Sequence, residues 1–372
     1  MAGETERMPN QKPDHTAAEP SMTRREAMLQ LLRVGGVAAG VGAAAVWLSE
    51  HSFHPVPARA EQARRDHRVA AEPQFPQMTV VQFPTDKDAS LHPGEQKSLA
   101  GGPESAGTAV AKAGEPRALV QQALENLGGI RRFVSRQDVV VLKPNIAWDR
   151  TPEQAANTNP EVVAEVVRQC WQAGAKRVIV TDVSCNEPRR CFQRSGIQAA
   201  ARADGAEVIL PDPELFREVN IDGVVLKNWP VFGPFLEADK VFNLPIAKQH
   251  ELSGVTLGMK NWYGILGGQR NRLHQQIHQS LADLASFMLP TVTLIDCYRI
   301  LLRNGPTGGN LEDVALKKTM VAGTDPVAID AYVAKAYWNL DPERLPYLQM
   351  AANRGLGTVD FDKLAVKISQ LT

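Results

Sequence analysis

The sequence has few cysteines, and their spacing excludes several classes of protein. Only four occur among 372 residues, at Cys170, Cys185, Cys191 and Cys297. No two of them form a C-x-x-C pair, and the set is too small and irregular for a disulfide scaffold, a zinc ribbon or a ferredoxin-type iron–sulfur site. We therefore expect no iron–sulfur cluster. Cys185 and Cys191 could pair in an oxidising compartment, although two free thiols are the simpler interpretation.

The chain also lacks an excess of charge of either sign. Its 41 lysines and arginines balance 41 aspartates and glutamates, which leaves a formal net charge of +0. Overall charge therefore gives no reason to expect nucleic-acid binding or attachment to an acidic membrane. With 44% hydrophobic and 22% charged residues, and a mean hydropathy of -0.24, the composition is that of a globular protein and excludes a polytopic membrane protein.

The first 60 residues resemble a twin-arginine export signal. Arg24 and Arg25 precede an apolar run at 34–48, and an A-x-A type cleavage site follows at 58–60. We expect the twin-arginine export machinery as a partner, an extracytoplasmic location and no stable membrane span in the mature chain. An uncleaved signal would instead leave an anchor, for which an apolar run of about 15 residues is short. Because this route exports folded proteins, a cofactor could be inserted before export.

The rest of the chain divides into a linker and one large domain. Residues 61–115 are rich in proline, glycine and small polar residues, with one strand-like run at 78–83. From residue 116 to 372, apolar strands alternate with amphipathic helices, which predicts an α/β domain with a mostly parallel sheet and helices on both faces. The predicted helices are 116–127, 160–173, 192–202, 255–263, 274–288, 327–338 and 345–352. The predicted strands are 139–142, 178–181, 207–210, 240–244, 292–295, 319–322 and 364–368.

Polar side chains follow most of the predicted strands. In open parallel sheets, ligands bind outside the carboxyl ends of the strands, so we expect these side chains to converge on one rim. They are Lys143, Asn145, Asp182, Lys248, His250, Asp296 and Asp325. Each taken alone has a structural alternative, such as a helix cap for Asp325 or a turn for Asp182.

The densest group of such side chains lies between residues 248 and 261. Lys248, His250, Lys260 and Asn261 fall within fourteen residues, and these groups suit the binding of a carboxylate or phosphate. His250 could act as a general acid or base or as a metal ligand, and Lys260 could stabilise negative charge that develops on a substrate. The alternative for His250 is a hydrogen bond to the backbone of a tight loop.

Two further features are candidates for metal and phosphate binding. His274 and His278 stand four residues apart and would share one face of a helix, although no H-E-x-x-H motif is present and a solvated helix start explains them as well. His274 is the better candidate ligand. Gly305, Gly308 and Gly309 lie in a loop whose backbone N–H groups could bind phosphate, although the loop does not match a P-loop.

Five motifs, in order, resemble the family called domain of unknown function 362 (DUF362). They are K-P-N at 143–145, K-x-H at 248–250, K-N at 260–261, N-G-P-x-G-G at 304–309 and G-T-D-P-x-A-x-D at 323–330. The resemblance covers residues from 139 to the end and implies a shared domain without a settled activity. Some family members carry ferredoxin-like cysteines, which this sequence lacks. The last motif adds Asp330, one helical turn from Asp325, so the two could share a metal or a lysine.

We expect an exported enzyme that acts on a small anionic substrate, which Lys143, Lys248 and Lys260 would hold while His250 transfers a proton. Asn145, Asn261 and the three glycines of the loop would add contacts to the anion. A divalent metal is a candidate cofactor, with ligands among Asp182, Asp296, Asp325, Asp330, His250 and His274. Two alternatives stay open: a non-catalytic binding protein for a phosphorylated cofactor or a metal, and an accessory or maturation factor for a partner enzyme.

Overall fold

The computed structural model describes residues 61–62, 65–85 and 114–372 of the chain, so the predicted export signal and its cleavage site lie outside the described residues. The strands are, in chain order, β1 (Glu61–Gln62), β2 (Arg65–Asp66), β3 (Met78–Gln82), β4 (Val139–Pro144), β5 (Arg177–Val180), β6 (Glu207–Val208), β7 (Phe216–Asn220), β8 (Asn228–Phe232), β9 (Lys240–Leu244), β10 (Ile246–His250), β11 (Gly254–Thr256), β12 (Met288–Leu289), β13 (Val292–Leu301), β14 (Val314–Gly323) and β15 (Val366–Gln370).

Helices connect most of these strands. The α-helices are α1 (Glu115–Asn126), α2 (Pro160–Ala173), α3 (Pro188–Arg194), α4 (Ile197–Ala203), α5 (Pro234–Glu237), α6 (Gly258–Asn261), α7 (Ile277–Phe287), α8 (Pro326–Trp338) and α9 (Pro346–Asn353). Short 3-10 helices lie at Ile130–Arg132, Pro152–Gln154, Pro213–Leu215, Trp262–Ile265, Arg270–Gln276, Leu311–Asp313, Pro342–Arg344 and Phe361–Lys363. No helix in the described residues is both long and apolar enough to cross a membrane.

Within the described residues, ten strands form one sheet. Its order is β15-β3-β14-β13-β9-β4-β5-β6, with β10 paired to β13 and β11 paired to β10. The neighbours from β13 to β6 are all parallel, whereas β14 is antiparallel to both β13 and β3. The predicted α/β fold with a mostly parallel sheet is therefore confirmed.

Strand β4 shows why this sheet is covered on both faces. Val140, Val141 and Leu142 are fully buried, as expected for a continuous apolar run in a parallel sheet. Successive side chains point to opposite faces. Val141 belongs to the apolar core that includes side chains of α7, α8 and α9, whereas Val140 and Leu142 belong to the core that includes side chains of α1 and α2.

Helix α2 illustrates how the sequence sets the ends of an element. The side chain of Asn159 accepts a hydrogen bond from the N–H of Glu161, Pro160 occupies the first helical turn, and Gly174 ends the helix with φ 94°. Its apolar face, which includes Val163 and Val167, is fully buried. The prediction of a helix at 160–173 is confirmed at both ends.

Strand β3 confirms the strand-like run but extends the domain beyond its predicted start at 116. The strand lies between β15 and β14, where Val80 pairs with Ile368 on one side and Val321 on the other. The strand belongs to the domain through long-range pairing, because both of its partner strands are more than two hundred residues away in the sequence. Local composition around residue 80, which resembles a linker, carries no sign of that pairing.

Three predicted elements around the candidate site are wrong in type or extent. Residues 248–250, which no predicted helix or strand covers, belong to β10, and the predicted helix at 255–263 is divided among β11, α6 and a 3-10 helix. The predicted helix at 274–288 begins as a 3-10 helix and becomes α7 only at Ile277. Strand β13 runs to Leu301, so Asp296 lies within the strand instead of after it. Strand pairing explains the differences at β10 and β13, since β10 is held by β11 and β13, and β13 pairs with β14 along most of its length.

Candidate functional site

A buried ion pair lies at the carboxyl ends of β4 and β5. Lys143 is at the end of β4, and Asp182 follows β5, its parallel neighbour. The distance from Lys143 Nζ to Asp182 Oδ1 is 2.6 Å, and both side chains are almost completely buried. Lys143 Nζ also donates to Pro144 O at 2.9 Å and to Asn261 Oδ1 at 3.1 Å. Because these three acceptors use all its protons, Lys143 has none left for a ligand in this arrangement, and its predicted anion-binding role has no support from the geometry.

The ion pair is closely surrounded by backbone. Asp182 Oδ2 accepts a hydrogen bond of 2.6 Å from the N–H of Ile146. A Cβ atom on Gly264 would lie 1.9 Å from Asp182 Oδ1 and 2.6 Å from Lys143 Nζ. Only glycine fits at position 264 while the pair is intact. Burial lowers the pKa of Lys143, and the adjacent Asp182 carboxylate opposes that shift.

Two amides connect this pair to a second buried lysine. Asn261 Oδ1 accepts from Asn145 Nδ2 at 3.0 Å, and Asn145 Oδ1 in turn accepts from Lys248 Nζ at 3.0 Å. Lys248 Nζ also donates to the carbonyl of Ala156 at 2.6 Å. The fold thus brings together Lys143, Asn145, Lys248 and Asn261, as the strand-end rule predicts. Their polar atoms bind one another, so this cluster, the buried polar network, supports the neighbouring site.

Lys260 differs from the other two lysines. It is 9% exposed, yet its Nζ has no hydrogen-bond acceptor among the described residues. Instead it lies 3.9 Å from the ring centroid of Tyr263, a cation–π contact. The ring of Tyr263 makes an edge contact with His274, and His274 lies almost parallel to His250 with 6.0 Å between ring centroids. Lys260, Tyr263, His274 and His250 together form what we call the Lys–His cluster.

The Nε2 atoms of the two imidazoles in the cluster have complementary hydrogen-bonding roles. His250 Nδ1 accepts hydrogen bonds from the N–H groups of Leu252 and Ser253 at 3.2 and 3.3 Å, so the proton of the neutral ring is on Nε2. His274 Nδ1 lies 3.2 Å from the carbonyl of Asn271, which can only accept, so its Nε2 is unprotonated. Hydrogen-bond partners therefore assign His250 Nε2 as a donor and His274 Nε2 as an acceptor.

Burial and mutual repulsion keep this cluster low in charge. Burial lowers the pKa of Lys260 to about 7 and that of Lys248 to about 7. Burial, then the charge of Lys260, lowers the pKa of His250 to about 3. The pKa of His274 is lowered by the same two causes. At neutral pH both imidazoles are neutral, and Lys260 is poised between its charged and neutral forms.

The sequence did not point to two residues beside the cluster, Arg270 and Cys185. Arg270 Nη1 donates to the carbonyl of Val183 at 2.6 Å, and its Nη2 lies 3.5 Å from Cys185 Sγ. Cys185 follows Asp182 beyond β5, so the strand-end rule already applied to it. Arg270 had no comparable signal, because the 3-10 helix that places it does not follow a strand. All four cysteines are free thiols, so Cys185 and Cys191 are not paired.

The aspartates predicted as metal ligands instead bind backbone N–H groups or a lysine. Asp296 accepts from Asn159 and Tyr298 at 2.8 and 3.0 Å, and so holds the start of α2 against β13. Asp325 caps α8 and also accepts from the N–H of Thr358. Asp330 accepts from Gly258 and Met259, at the start of α6. Asp325 thus binds the start of α8 and Asp330 the start of α6, and no lysine among the described residues pairs with either carboxylate.

These placements disperse the proposed metal ligands. Asp182 forms an ion pair with Lys143, and His274 stacks on His250. Within the ranges that the structure describes, no three His, Cys, Asp or Glu side chains are grouped so as to hold an ion. His278 stacks on Tyr347, so it is not in contact with His274 as a shared helix face would require. The 3-10 geometry before Ile277 rotates the two histidines apart.

The glycine-rich loop is held to other parts of the protein through its own backbone. The N–H of Gly305 donates to Gln249 Oε1 at 2.9 Å, and that of Gly308 donates to Asn304 O at 3.2 Å. Gly309 O accepts from Gln154 Nε2 at 2.9 Å. Two of the N–H groups expected to bind phosphate are thus already used, and the predicted phosphate role of Gly305, Gly308 and Gly309 has no support from the geometry.

Comparison with known proteins confirms the family resemblance. The sequence matches the family described as "Domain of unknown function (DUF362)" over residues 140–335, more than half of the chain. It is also similar to the thylakoid-associated protein sll1697 of Synechocystis sp. The two are 27% identical over 261 residues, which cover 66% of this chain and 76% of that protein.

Two solved structures are distantly similar. One is the lactate racemase apoprotein from Thermoanaerobacterium thermosaccharolyticum, with 12% identity, a TM-score of 0.37, and coverage of 61% of this chain and 54% of that one. The other is a protein from Thermotoga maritima, with 13% identity, a TM-score of 0.34, and coverage of 64% of this chain and 58% of that one. The chain thus spans little more than half the length of either.

Proposed function

Because this chain belongs to the DUF362 family, whose description assigns no reaction, we propose a function from the site itself: acid–base catalysis on a small anionic substrate bound at the Lys–His cluster. One observation carries the proposal. Lys260, a buried ammonium group with no hydrogen-bond acceptor among the described residues, lies in the same cluster as two neutral imidazoles whose Nε2 atoms are a donor on His250 and an acceptor on His274. Such perturbed groups in one partly accessible cluster are typical of functional sites.

The chemistry follows from the charges of these groups. A carboxylate or phosphate would pair with Lys260 and supply the acceptor that its ammonium group lacks. Binding of the anion favours the charged form of Lys260, so proton uptake accompanies binding above pH 7. His274 Nε2 would accept a proton from the substrate, and His250 Nε2–H would donate a hydrogen bond to the oxygen on which negative charge develops, with Lys260 stabilising that charge until the proton returns.

The buried polar network explains why these groups stay in place. Lys248 and Asn145 join β10 to the end of β4, and Asn261 joins α6, which carries Lys260, to the same strand. Asp330 fixes the other end of α6 through two backbone N–H groups. Reactive side chains held by satisfied hydrogen bonds need little reorganisation when a substrate binds.

Exchange of carbon-bound hydrogen for deuterium tests proton transfer without knowledge of the substrate. The protein is incubated in D2O with pyruvate, succinate or acetate, and loss of the C–H signals is followed by proton NMR, while calorimetry records binding of the same anions and of inorganic phosphate. We expect exchange with at least one carboxylate, and a loss of about 100-fold or more in His250→Gln or His274→Gln. His278→Gln is the matched control, because His278 lies outside the cluster, and it should exchange like the wild type.

The outcomes separate the proposal from its alternatives. Binding that depends on Lys260, without exchange of any probe, would favour a non-catalytic binding protein. Exchange that survives in both His250→Gln and His274→Gln would contradict the assigned roles of the imidazoles. Failure of every anion to bind would contradict the site as a whole.

We also infer export through the twin-arginine route, a proposal that depends on Arg24 and Arg25 in the sequence. Expressed from its full sequence in a bacterium with this route, the wild type should be recovered outside the cytoplasm. The double substitution Arg24→Lys and Arg25→Lys should retain the protein in the cytoplasm. Unchanged export of the double variant would show that another signal is used.

A further inference from the structure

Cys185 stands apart from the other cysteines of the chain. Cys170, Cys191 and Cys297 are buried, whereas Cys185 is partly exposed. Burial raises the pKa of all three of these thiols, that of Cys191 to about 12, which makes them poor nucleophiles. Cys185 is therefore the thiol that reagents in solution can reach.

Positive charge surrounds the sulfur of Cys185. Arg270 Nη2 lies 3.5 Å from Sγ. The rest of the guanidinium donates to backbone carbonyls of Val183, Ser184 and Tyr263, and Arg270 contacts no carboxylate among the described residues. Its charge is thus balanced by no acidic side chain in that part of the chain, although Arg270 is only 7% exposed.

A second cation faces the same place. Lys260 is nine-tenths buried, and its Nζ lacks a hydrogen-bond acceptor within the described ranges. The ammonium group lies over the ring of Tyr263, whose carbonyl accepts a hydrogen bond from Arg270 Nη1, and Arg270 Nη2 contacts Cys185 Sγ. Arg270 therefore connects Cys185 to the residue on which Lys260 packs. Buried cations with no anionic partner attract small anions.

We propose that Cys185 is a nucleophilic site for small anionic electrophiles, which Arg270 and Lys260 bring to its sulfur. In the covalent step, the sulfur forms a bond to the electrophilic carbon, the bond from that carbon to the leaving group breaks, and the leaving group departs with the bonding electrons. The thiol proton passes to solvent. Like the proposed function, this inference depends on the charge of Lys260, but it requires no proton transfer by His250 or His274.

Two alkylating agents that differ in charge test this inference. Iodoacetate places a carboxymethyl group on sulfur and iodoacetamide places a carbamidomethyl group. Both release iodide, but only iodoacetate is an anion. At a given pH both reagents react with the same fraction of thiolate, so the ratio of their rate constants does not depend on that fraction. The ratio therefore reports the charge around the sulfur. Peptide mass spectrometry of the native protein assigns each adduct, and N-acetylcysteine provides the reference ratio.

We expect adducts at Cys185 before any other cysteine, with a rate ratio of iodoacetate to iodoacetamide at least about tenfold above the reference. The ratio should fall as salt is added. It should approach the reference in Lys260→Met and in Lys260→Gln, a second variant in case the first does not fold, and remain high in Lys260→Arg. Lys176→Met removes the same charge from an exposed site and should leave the ratio unchanged.

Two outcomes would overturn the inference. One is a rate ratio at Cys185 equal to or below that of N-acetylcysteine. The other is a high ratio that Lys176→Met reduces as much as Lys260→Met, because this would assign the effect to net charge. Absence of hydrogen exchange in the wild type would refute the proposed catalysis and leave the alkylation ratio unaffected, so the two failures can be distinguished.

Discussion

Replacing Lys143 by methionine should lower the stability of the protein, whereas replacing Lys260 by methionine should abolish anion binding. Lys143→Met removes the partner of a buried carboxylate and leaves Asp182 with the hydrogen bond from the N–H of Ile146, at 2.6 Å. Loss of one member of a buried ion pair costs about 3–5 kcal/mol. We therefore expect this variant to lose a large part of the free energy of unfolding of a typical domain.

Lys260→Met removes an ammonium group that has no hydrogen-bond acceptor among the described residues. The variant loses the contact with the ring of Tyr263, worth about 1 kcal/mol, but it also removes the cost of burying a charge. The second effect is the larger, because a pKa lowered from 10.5 to about 7 corresponds to roughly 5 kcal/mol, so the free energy of unfolding should not fall below that of the wild type. Binding of inorganic phosphate should nevertheless be lost.

Urea unfolding at pH 7, followed by far-ultraviolet circular dichroism, measures both variants under the same conditions. Adding Asp182→Leu to Lys143→Met removes the unpaired carboxylate, so the double variant should cost less than the sum of the two single substitutions. Equal destabilisation by Lys143→Met and Lys260→Met would refute the distinction between a supporting lysine and a ligand-binding lysine. So would retention of phosphate binding in Lys260→Met.

Two further predictions concern packing and pH. Gly264→Ala places a Cβ 1.9 Å from Asp182 Oδ1 and should destabilise the protein by about 3 kcal/mol or more in urea unfolding. The control is Gly355→Ala, at a position with φ 71° and open space around it, which should cost only about 1 kcal/mol. Similar costs for the two variants would contradict the packing argument. Lys248 and Lys260 have pKa values lowered to about 7, so above pH 7 the unfolded state binds more protons than the folded state and the free energy of unfolding should rise by about 1 kcal/mol per pH unit for each lysine. Lys260→Met should remove about half of that rise between pH 7 and 8.5, and an unchanged slope would show that Lys260 is not responsible.

Local sequence patterns predicted the elements whose ends are set by local contacts. Helix α2 has its cap at Asn159 and its stop at Gly174, and the helix at 327–338 follows the capping carboxylate of Asp325. Strand β10 was missed because Lys248, Gln249 and His250 do not alternate between apolar and polar. Its strand conformation depends on β11 and β13, and β13 is distant in the sequence.

The strand-end rule predicted which side chains the fold brings together but could not assign roles to them. It placed Lys143, Lys248 and Asp182 near one another, yet it could not show that Lys143 and Asp182 bind each other. That distinction depends on how far each side chain reaches across the sheet. Arg270 was missed for a related reason, because its guanidinium reaches the carbonyls of Val183 and Ser184 from a separate segment.

Nitrogen-15 NMR of the imidazoles during a titration with inorganic phosphate tests the central claim most directly. At pH 7 the free protein should show His250 protonated on Nε2 and His274 protonated on Nδ1. Phosphate should then shift both Nε2 resonances with one saturation curve, and it should leave them unmoved in Lys260→Met. Resonances of His250 and His274 that stay fixed while phosphate binds elsewhere, or that move equally in Lys260→Met, would contradict an anion site at the Lys–His cluster.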